Sequence, residues 1–174
     1  RLQYSANAEE HALMDRAWAI LADTALEQPQ VWVHRDYHSR NLMLTGQDNP
    51  GILDFQDAVT GPLTYDLVSL LKDCYIEWPA KRVKDWVLGY QDRLVESGLL
   101  DEPDDARFLR WFQRMGIQRH LKVAGIFSRL YYRDGKEGYL ADIPLTMRYL
   151  TNALSDDAEL SELEVDGFGF GGID

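Results

Sequence analysis

Two neighbouring segments organise this sequence: Val31-Trp-Val-His-Arg-Asp-Tyr-His-Ser-Arg-Asn41 and Gly51-Ile-Leu-Asp-Phe-Gln-Asp57. Each opens with a short apolar run that is typical of a strand, and each then turns polar, as expected where a strand delivers functional groups to a loop. Between them, Gly46-Gln-Asp-Asn-Pro50 has the composition of a turn. The sequence therefore predicts a β-hairpin around this turn, with Asn41 and Asp54 at the same end.

The polar residues of these segments match the needs of phosphoryl transfer from ATP to a hydroxyl group. That reaction requires a carboxylate that orients and deprotonates the acceptor, and hard oxygen ligands that hold Mg²⁺ against the phosphates. Asp36 and Asn41 have the D-x-x-x-x-N spacing of a kinase catalytic loop, and Asp54 begins an Asp-Phe-Gln triplet that differs from D-F-G in one residue. We expect Asp36 to act as the base, and Asn41 and Asp54 to bind Mg²⁺.

The loop His34-Arg-Asp-Tyr-His-Ser-Arg-Asn41 resembles the H-G-D-x-H-x-x-N motif of the aminoglycoside phosphotransferase family of small-molecule kinases. Two later segments resemble that family's D-F-x-D-A and G-D-P-x-x-D-L-A motifs: Asp54-Phe-Gln-Asp-Ala58 and Gly61-Pro-Leu-Thr-Tyr-Asp-Leu67, which lacks the aspartate before proline. Within the family, residues 53–75 are most similar to the bacterial subfamily that phosphorylates the anomeric hydroxyl of N-acetylmuramate and N-acetylglucosamine in cell-wall recycling.

The resemblance implies a mainly α fold with a small β-hairpin, the C-terminal catalytic lobe of a protein-kinase-like structure, formed by residues 1–155. The chain has neither a glycine-rich loop nor a strand lysine paired with a helix glutamate, which clamp the ATP phosphates in this family. We therefore expect the N-terminal lobe of the same protein to be missing, and these residues alone to be inactive.

The implied reaction transfers the γ-phosphoryl group of ATP, with Mg²⁺, to an amino-sugar hydroxyl. An aminoglycoside-resistance kinase or a choline-type kinase would share every motif residue and differ in the acceptor pocket. An inactive pseudokinase or interaction module is the non-enzymatic alternative, although its usual sign, loss of the base or a metal ligand, is absent here. In the family the helical subdomain forms much of the acceptor pocket, which points to Arg119, His120 and Lys122 as substrate-binding residues.

Four more polar residues are expected to support the loop or to lie near the transferred phosphate: His34, His38, Asp57 and Asp66. We expect a structural role for His34, whereas His38 either supports the loop or approaches the phosphate. Asp57 either assists the metal site or ties the loop by hydrogen bonds. Asp66 begins an otherwise apolar helix face, where an unpaired carboxylate would cost several kcal/mol. We therefore expect Asp66 to accept hydrogen bonds from the catalytic-loop backbone.

Apolar residues at three- and four-residue spacing predict helices. The expected ranges are 8–26, 65–75, 81–97, 106–132 and 143–154, with Cys74 on the second helix and Pro103 in the first turn of the fourth. Asp134-Gly135 is expected to end the fourth helix. The apolar residues Val31, Trp32 and Val33 predict a short buried strand.

Composition narrows the remaining possibilities. The 174 residues carry a net charge of −11 and are 45% hydrophobic, which favours one packed domain and argues against a nucleic-acid surface. The charges from Asp156 onward are all acidic, so residues 156–174 are expected to form a flexible glycine-rich tail. The single cysteine, Cys74, fits a reducing compartment, and no segment predicts a membrane span. We therefore expect a cytoplasmic enzyme whose partners are a nucleotide, a small molecule and its own missing lobe.

Overall fold

The computed structural model describes residues 7–135, 138 and 143–163, which form helices and two small antiparallel sheets. The predicted mainly α chain with a small hairpin is therefore confirmed. In chain order the elements are α1 (Ala8–Leu26), β1 (Gln30–Val33), a 3₁₀ turn (Ser39–Asn41), β2 (Leu42–Met43), β3 (Gly51–Ile52), β4 (Val59–Pro62), α2 (Tyr65–Leu71), α3 (Ala80–Glu96), α4 (Asp105–Asp134) and α5 (Ile143–Ser155).

The long helix α4 is the centre of the fold and contacts α1, α2, α3 and α5. It begins where the Asp104 side chain accepts a hydrogen bond from the Arg107 N–H, at 3.0 Å. It ends at Gly135, whose φ of 65° is the left-handed conformation that glycine adopts without a steric cost. The predicted end is thus confirmed. The prediction for Pro103 is wrong, because this residue precedes the capping aspartate and lies outside the helix.

Two apolar clusters lie on different sides of α4. One joins α2, α3 and α4 around Val68, Val87 and Phe108, and the other joins α1, α4 and α5 around Leu21 and Ile117. Full burial of a side chain of this size stabilises a fold by about 1.5–3 kcal/mol. A helix that is apolar on two faces is therefore held from both sides, which makes α4 a rigid support for whatever it contacts.

Residues 156–163 pack against the helices, so the prediction of a loose tail is wrong for them. Leu160 and Leu163 are only 1% and 2% exposed. Asp157 accepts a hydrogen bond from Arg114 Nε at 2.7 Å and one from Arg114 Nη2 at 3.1 Å. Burial alone would raise the pKa of Asp157, but these hydrogen bonds hold it below its ordinary value. Residues 164–174 lie outside the described residues.

The hairpin of β2 and β3 has the predicted arrangement. Leu42 pairs with Ile52, and Met43 pairs with Gly51. A further hydrogen bond of 3.0 Å runs from the Leu53 N–H to the Asn41 carbonyl. The residues expected to bind Mg²⁺ therefore lie on adjacent strand ends, as predicted.

The sequence did not predict β4, which pairs antiparallel with β1. Gly61 of β4 allows this close approach, since an added Cβ there would lie 2.7 Å from Val33 Cγ2. Val33 is buried, but Trp32 is 81% exposed, so the prediction of a buried strand is wrong at this tryptophan. The error follows from the alternation of faces along a strand, which a run of three apolar residues does not reveal.

Helix α2 is shorter than predicted and ends at Leu71, so Cys74 lies in the loop that follows it. The reason is Asp73, whose Oδ1 accepts hydrogen bonds from the backbone N–H groups of Tyr75 and Ile76, at 2.9 and 2.7 Å. These bonds stabilise a turn that competes with the next helical turn.

Among the described helices, none is long and apolar enough to cross a membrane.

Candidate active site

The loop between β1 and β2 is held from below by Asp66, in the first turn of α2. Its Oδ2 accepts a hydrogen bond from the His34 N–H at 2.5 Å, and its Oδ1 accepts one from the Arg35 N–H at 3.0 Å. These are the hydrogen bonds that the sequence predicts for Asp66. Arg35 has a φ of 76°, a conformation that costs a non-glycine residue about 1–2 kcal/mol. The carboxylate of Asp66 offsets this cost.

Arg119, on α4, contacts the same loop from its other side. Its Nη1 donates to the Arg35 carbonyl at 3.0 Å and its Nη2 donates to Ser69 Oγ at 2.8 Å. Its guanidinium also lies 4.6 Å from the centroid of the Tyr65 ring. Arg119 therefore supports the loop, and because it also lines a cavity that Asp36 reaches, its expected contact with a substrate stays a prediction. Both polar groups of the strained Arg35 backbone, immediately before Asp36, are thus fixed by side chains.

Asp73 is a loop-holding residue that the sequence reading missed. Ser39 donates to Asp73 Oδ2 twice, from Oγ at 2.8 Å and from the backbone N–H at 3.4 Å. The Arg40 guanidinium lies 3.5 Å from the centroid of the Tyr75 ring, which follows Asp73 closely in the chain. The sequence did contain an indication of this role: Asp73 follows an apolar helix, where a buried carboxylate needs hydrogen-bond donors.

Asn41 and Asp54 offer oxygen atoms from adjacent strand ends. The Asn41 Nδ2 donates to the Asp36 carbonyl at 2.9 Å, so its Oδ1 is the amide atom left for a cation. Asp54 has an exposed carboxylate, and its Oδ1 accepts from Gln56 Nε2 at 2.5 Å. Mg²⁺ in nucleotide sites takes one or two carboxylates and completes its shell with phosphate oxygens and water. These two residues therefore fit Mg²⁺ bound together with a nucleotide.

Asp36 lies on the rim of a cavity of about 170 Å³ beneath the loop. The cavity lies between the loop, the end of α2 and α4, and is lined by Asp36, His38, Ser69, Arg119 and His120 among others. Lys122 does not line it. Its exposed ammonium lies 3.3 Å from the Tyr65 hydroxyl, on the surface of α4, and its expected contact with a substrate stays a prediction.

The histidines of the loop differ in their surroundings. His34 Nε2 lies 2.8 Å from the Leu53 carbonyl and so ties the loop to the hairpin, in agreement with a structural role. His38 lines the cavity, and burial lowers its pKa even though Asp36 and Asp73 oppose the shift. A neutral imidazole near Asp36 does not form an ion pair with its carboxylate, which therefore stays available to accept a proton.

Asp57 behaves differently from the other loop residues. It is exposed, and no hydrogen bond of its carboxylate is present among the described residues, so both roles considered for it stay predictions.

His120 is buried, with 4% of its surface exposed. Its Nε2 lies 3.1 Å from the Lys72 carbonyl oxygen, and its ring stacks on Tyr149 at a centroid distance of 5.2 Å. Burial lowers its pKa to about 4. The expected substrate contact of His120 would therefore involve a neutral ring, which has no positive charge to offer a carboxylate.

Comparison with known proteins shows which sequences this chain is similar to. The model of the phosphotransferase enzyme family matches residues 1–125. The N-acetylmuramate/N-acetylglucosamine kinase of Neisseria meningitidis serogroup B is 51% identical over 150 residues, which cover 84% of this chain and 45% of that protein. The kinases of the same name from Pseudomonas aeruginosa and Caulobacter vibrioides are 48% and 33% identical, over 89% and 92% of this chain and 46% and 43% of those proteins. The chain thus spans about half the length of the curated relatives it matches.

Proposed function

Because this chain belongs to the phosphotransferase enzyme family, we propose that it forms the C-terminal catalytic lobe of a cytoplasmic kinase. This kinase uses ATP and Mg²⁺ to phosphorylate an N-acetyl amino sugar on its anomeric hydroxyl. Residues 1–155 contribute this lobe together with the packed segment 156–163, and an N-terminal lobe of the same protein contributes the remaining phosphate contacts. The activity therefore belongs to the whole protein.

The fixed position of Asp36 is the observation that best supports this function. Asp36 follows a backbone that is pinned at Arg35 by Asp66 and by Arg119, and it lies on the rim of a cavity. A base held by such a support does not need to be reorganised during the reaction, which lowers the barrier. Asn41 and Asp54 stand on the adjoining hairpin end, where a Mg²⁺-bound nucleotide would be presented to the acceptor.

Asp36 accepts the proton of the acceptor hydroxyl while the oxygen of that hydroxyl forms a bond to the γ-phosphorus of ATP. At the same time, the bond between the γ-phosphorus and the bridging oxygen breaks, and ADP leaves with that oxygen. An anomeric hydroxyl is more acidic than an ordinary alcohol, so a carboxylate is an adequate base for it. Asn41 Oδ1 and the Asp54 carboxylate would hold Mg²⁺, which neutralises phosphate charge when bound. The transfer is direct, so no residue of the chain is phosphorylated.

The amino-sugar acceptor is supported by the names of the relatives and by the groups around Asp36. All the relatives reported above are called N-acetylmuramate/N-acetylglucosamine kinases. The cavity is lined by two cationic residues, Lys72 and Arg119, as well as by carboxylates, and by the neutral ring of His120. A polycationic aminoglycoside or choline would favour a site dominated by carboxylates. A lining of mixed charge suits an amino sugar better.

The test uses the full-length parent protein with Mg²⁺ and ATP. N-acetylmuramate, N-acetylglucosamine, kanamycin and choline are offered separately, and products are identified by ³¹P NMR. A sugar 1-phosphate is the expected product. Transfer to kanamycin or choline alone would replace the acceptor, and transfer to none of the four would favour a pseudokinase.

Two variants then separate the roles of the carboxylates. Asp36→Ala is expected to lower kcat by about 10²–10⁴-fold while ATP binding is retained, because a general base contributes about this much. Asp54→Ala is expected to weaken Mg²⁺-dependent nucleotide binding as well. Lys81→Ala, which removes an exposed ion pair with Asp85 on α3, serves as the control. An Asp36→Ala enzyme that keeps most of its turnover would refute the assignment.

A further inference from the structure

The catalytic loop is supported at two places by different side chains. Before Asp36, the backbone is fixed by Asp66 and by Arg119. After Asp36, the loop closes in the 3₁₀ turn Ser39–Asn41, and there the support comes from Asp73. The two supports can therefore be changed separately, and the effect of each on the reaction can be measured.

Asp73 gathers four hydrogen-bond donors on one carboxylate. Its Oδ2 accepts from the Ser39 hydroxyl at 2.8 Å and from the Ser39 N–H at 3.4 Å, and its Oδ1 accepts from the N–H groups of Tyr75 and Ile76, at 2.9 and 2.7 Å. The residue is buried, with 6% of its surface exposed. An asparagine has the same shape, but its NH₂ group would face two of these donors. The arrangement therefore requires a carboxylate at this position.

Tyr75 adds a second contact to the same turn. Its N–H is one of the donors to Asp73, and the Arg40 guanidinium lies 3.5 Å from the centroid of its ring. A guanidinium in this position is attracted to the face of the ring. Ser39 and Arg40, the two residues before Asn41, are thus both held by the segment that follows α2.

The backbone of Asn41 connects this turn to Asp54. The Asn41 N–H donates to the His38 carbonyl at 2.9 Å, which closes the turn, and the Asn41 carbonyl accepts from the Leu53 N–H at 3.0 Å. Leu53 directly precedes Asp54, whose φ of 62° is a left-handed conformation that few non-glycine residues adopt. The position of the turn therefore affects both residues that are proposed to hold Mg²⁺.

We propose that Asp73 is a positioning residue for the metal-binding side of the site. By holding the turn Ser39–Asn41, it keeps the Oδ1 atom of Asn41 in place to bind Mg²⁺ together with a nucleotide. The inference rests on the proposed function, in which Asn41 and Asp54 hold Mg²⁺. It gives the two supports different tasks: loss of the Asp73 support weakens the binding of metal and nucleotide, whereas loss of the Arg119 contact slows the transfer.

The test removes one hydrogen bond and leaves the carboxylate unchanged. In the full-length protein, Ser39→Ala deletes the hydroxyl that donates to Asp73 and keeps the N–H contact. The Kd for Mn²⁺ in the presence of ADP, measured by electron paramagnetic resonance, should rise about tenfold, as the loss of one hydrogen bond predicts. Ser39→Thr keeps a hydroxyl and should retain the Kd of the parent. Asp73→Asn should raise the Kd by a larger factor, because it opposes two donors with an NH₂ group.

Steady-state kinetics distinguish this role from a general effect on the loop. Ser39→Ala should raise the KM for Mg-ATP about tenfold. The KM for N-acetylglucosamine and the kcat at saturating Mg-ATP should stay within about threefold of the parent, because Asp66 and Arg119 still hold the base. Ser97→Ala is the matched control, since it removes one hydroxyl hydrogen bond, to the Leu94 carbonyl at 3.0 Å, at the end of α3. Its Kd for Mn²⁺ should equal that of the parent.

The Mn²⁺ measurement needs no acceptor, so its result does not depend on which sugar the enzyme uses. A folded Ser39→Ala or Asp73→Asn protein with the Kd of the parent would overturn the inference and leave the proposed function intact. A loss of kcat with an unchanged Kd would also overturn it, because Asp73 would then support Asp36 instead of Asn41. If the parent itself bound no Mn²⁺ with ADP, the inference and the proposed metal-dependent function would both fail.

Discussion

Replacing Arg119 tests the claim that the loop is positioned by a residue on α4. Arg119→Ala removes the hydrogen bond to the Arg35 carbonyl and the one to Ser69 Oγ, and it removes the contact with the Tyr65 ring. Arg35 has a φ of 76°, so without this bond its peptide is free to relax toward ordinary backbone conformations. Asp36 would then spend less time in its productive position.

The size of the effect follows from the bond that is lost at Arg35. A hydrogen bond from a charged donor contributes about 1.5–3 kcal/mol. If this contribution is needed only when the loop is in its reactive position, kcat falls by about 10- to 150-fold. The KM for ATP should change little, because Arg119 contacts neither Asn41 nor Asp54 in the hydrogen bonds described. Arg119→Lys should fall between the parent and Arg119→Ala, since one ammonium cannot reproduce the two-pronged contact of a guanidinium.

The assay measures kcat and KM for both substrates in the full-length protein, with folding followed by circular dichroism and urea unfolding. Arg110→Ala is the matched control. Arg110 lies on the same helix and pairs with Glu27 at the surface, 2.7 Å away and remote from the loop. A folded Arg119→Ala protein with a kcat within twofold of the parent would refute the positioning role. So would an equal loss of kcat in Arg110→Ala, which would indicate a general effect on the helix.

Two further predictions concern stability. Gly61→Ala places a Cβ 2.7 Å from Val33 Cγ2 and should lower the free energy of unfolding by about 1–3 kcal/mol. The control, Gly89→Ala on α3, has open space around it and should raise the free energy of unfolding by up to about 1 kcal/mol. Equal urea midpoints for the two variants would contradict the close approach of β1 and β4. Asp157→Asn should cost about 3 kcal/mol at neutral pH, because it weakens a buried pair with Arg114. The pKa of Asp157 is lower in the folded state than in the unfolded state, so its contribution to stability is complete above the unfolded-state pKa and is lost as the pH falls through the folded-state pKa. The free energies of unfolding of the parent and the variant, measured in urea, should therefore converge below about pH 4. A constant difference down to pH 2 would contradict this.

Much of the fold was readable from local pattern. The end of α4 at Gly135, the start of α5 at Ile143 and the hairpin around Gly46–Pro50 agree with prediction. Each of these features depends on residues within one or two turns of one another: periodic apolar side chains, the residues of a turn or a left-handed glycine. Such interactions leave a signature in a short stretch of sequence, and so they can be predicted from it.

The errors share a different origin. Trp32 is exposed because successive side chains of β1 lie on opposite faces and the core covers only the face of Val33. Residues 156–163 are held by a contact between Asp157 and Arg114, 43 positions earlier. Helix α2 stops early because Asp73 bonds to the backbone beyond it. In each case a tertiary or side-chain contact outweighs local propensity, which amounts to a few tenths of a kcal/mol per residue.

The division is clearest at the candidate site. Asp36, Asn41 and Asp54 were predicted from their spacing, because phosphoryl transfer requires a base and oxygen ligands in a set order along one loop and one hairpin. The side chains that hold and surround them were decided by the tertiary structure. Arg119 stands 84 positions from the carbonyl it supports, and only the packing of α4 beneath the loop brings its guanidinium to that carbonyl. The spacing of residues along the sequence indicates which functional groups lie close together within one loop or hairpin. The distance between residues that are far apart in the sequence depends on how the helices pack to bury their apolar faces.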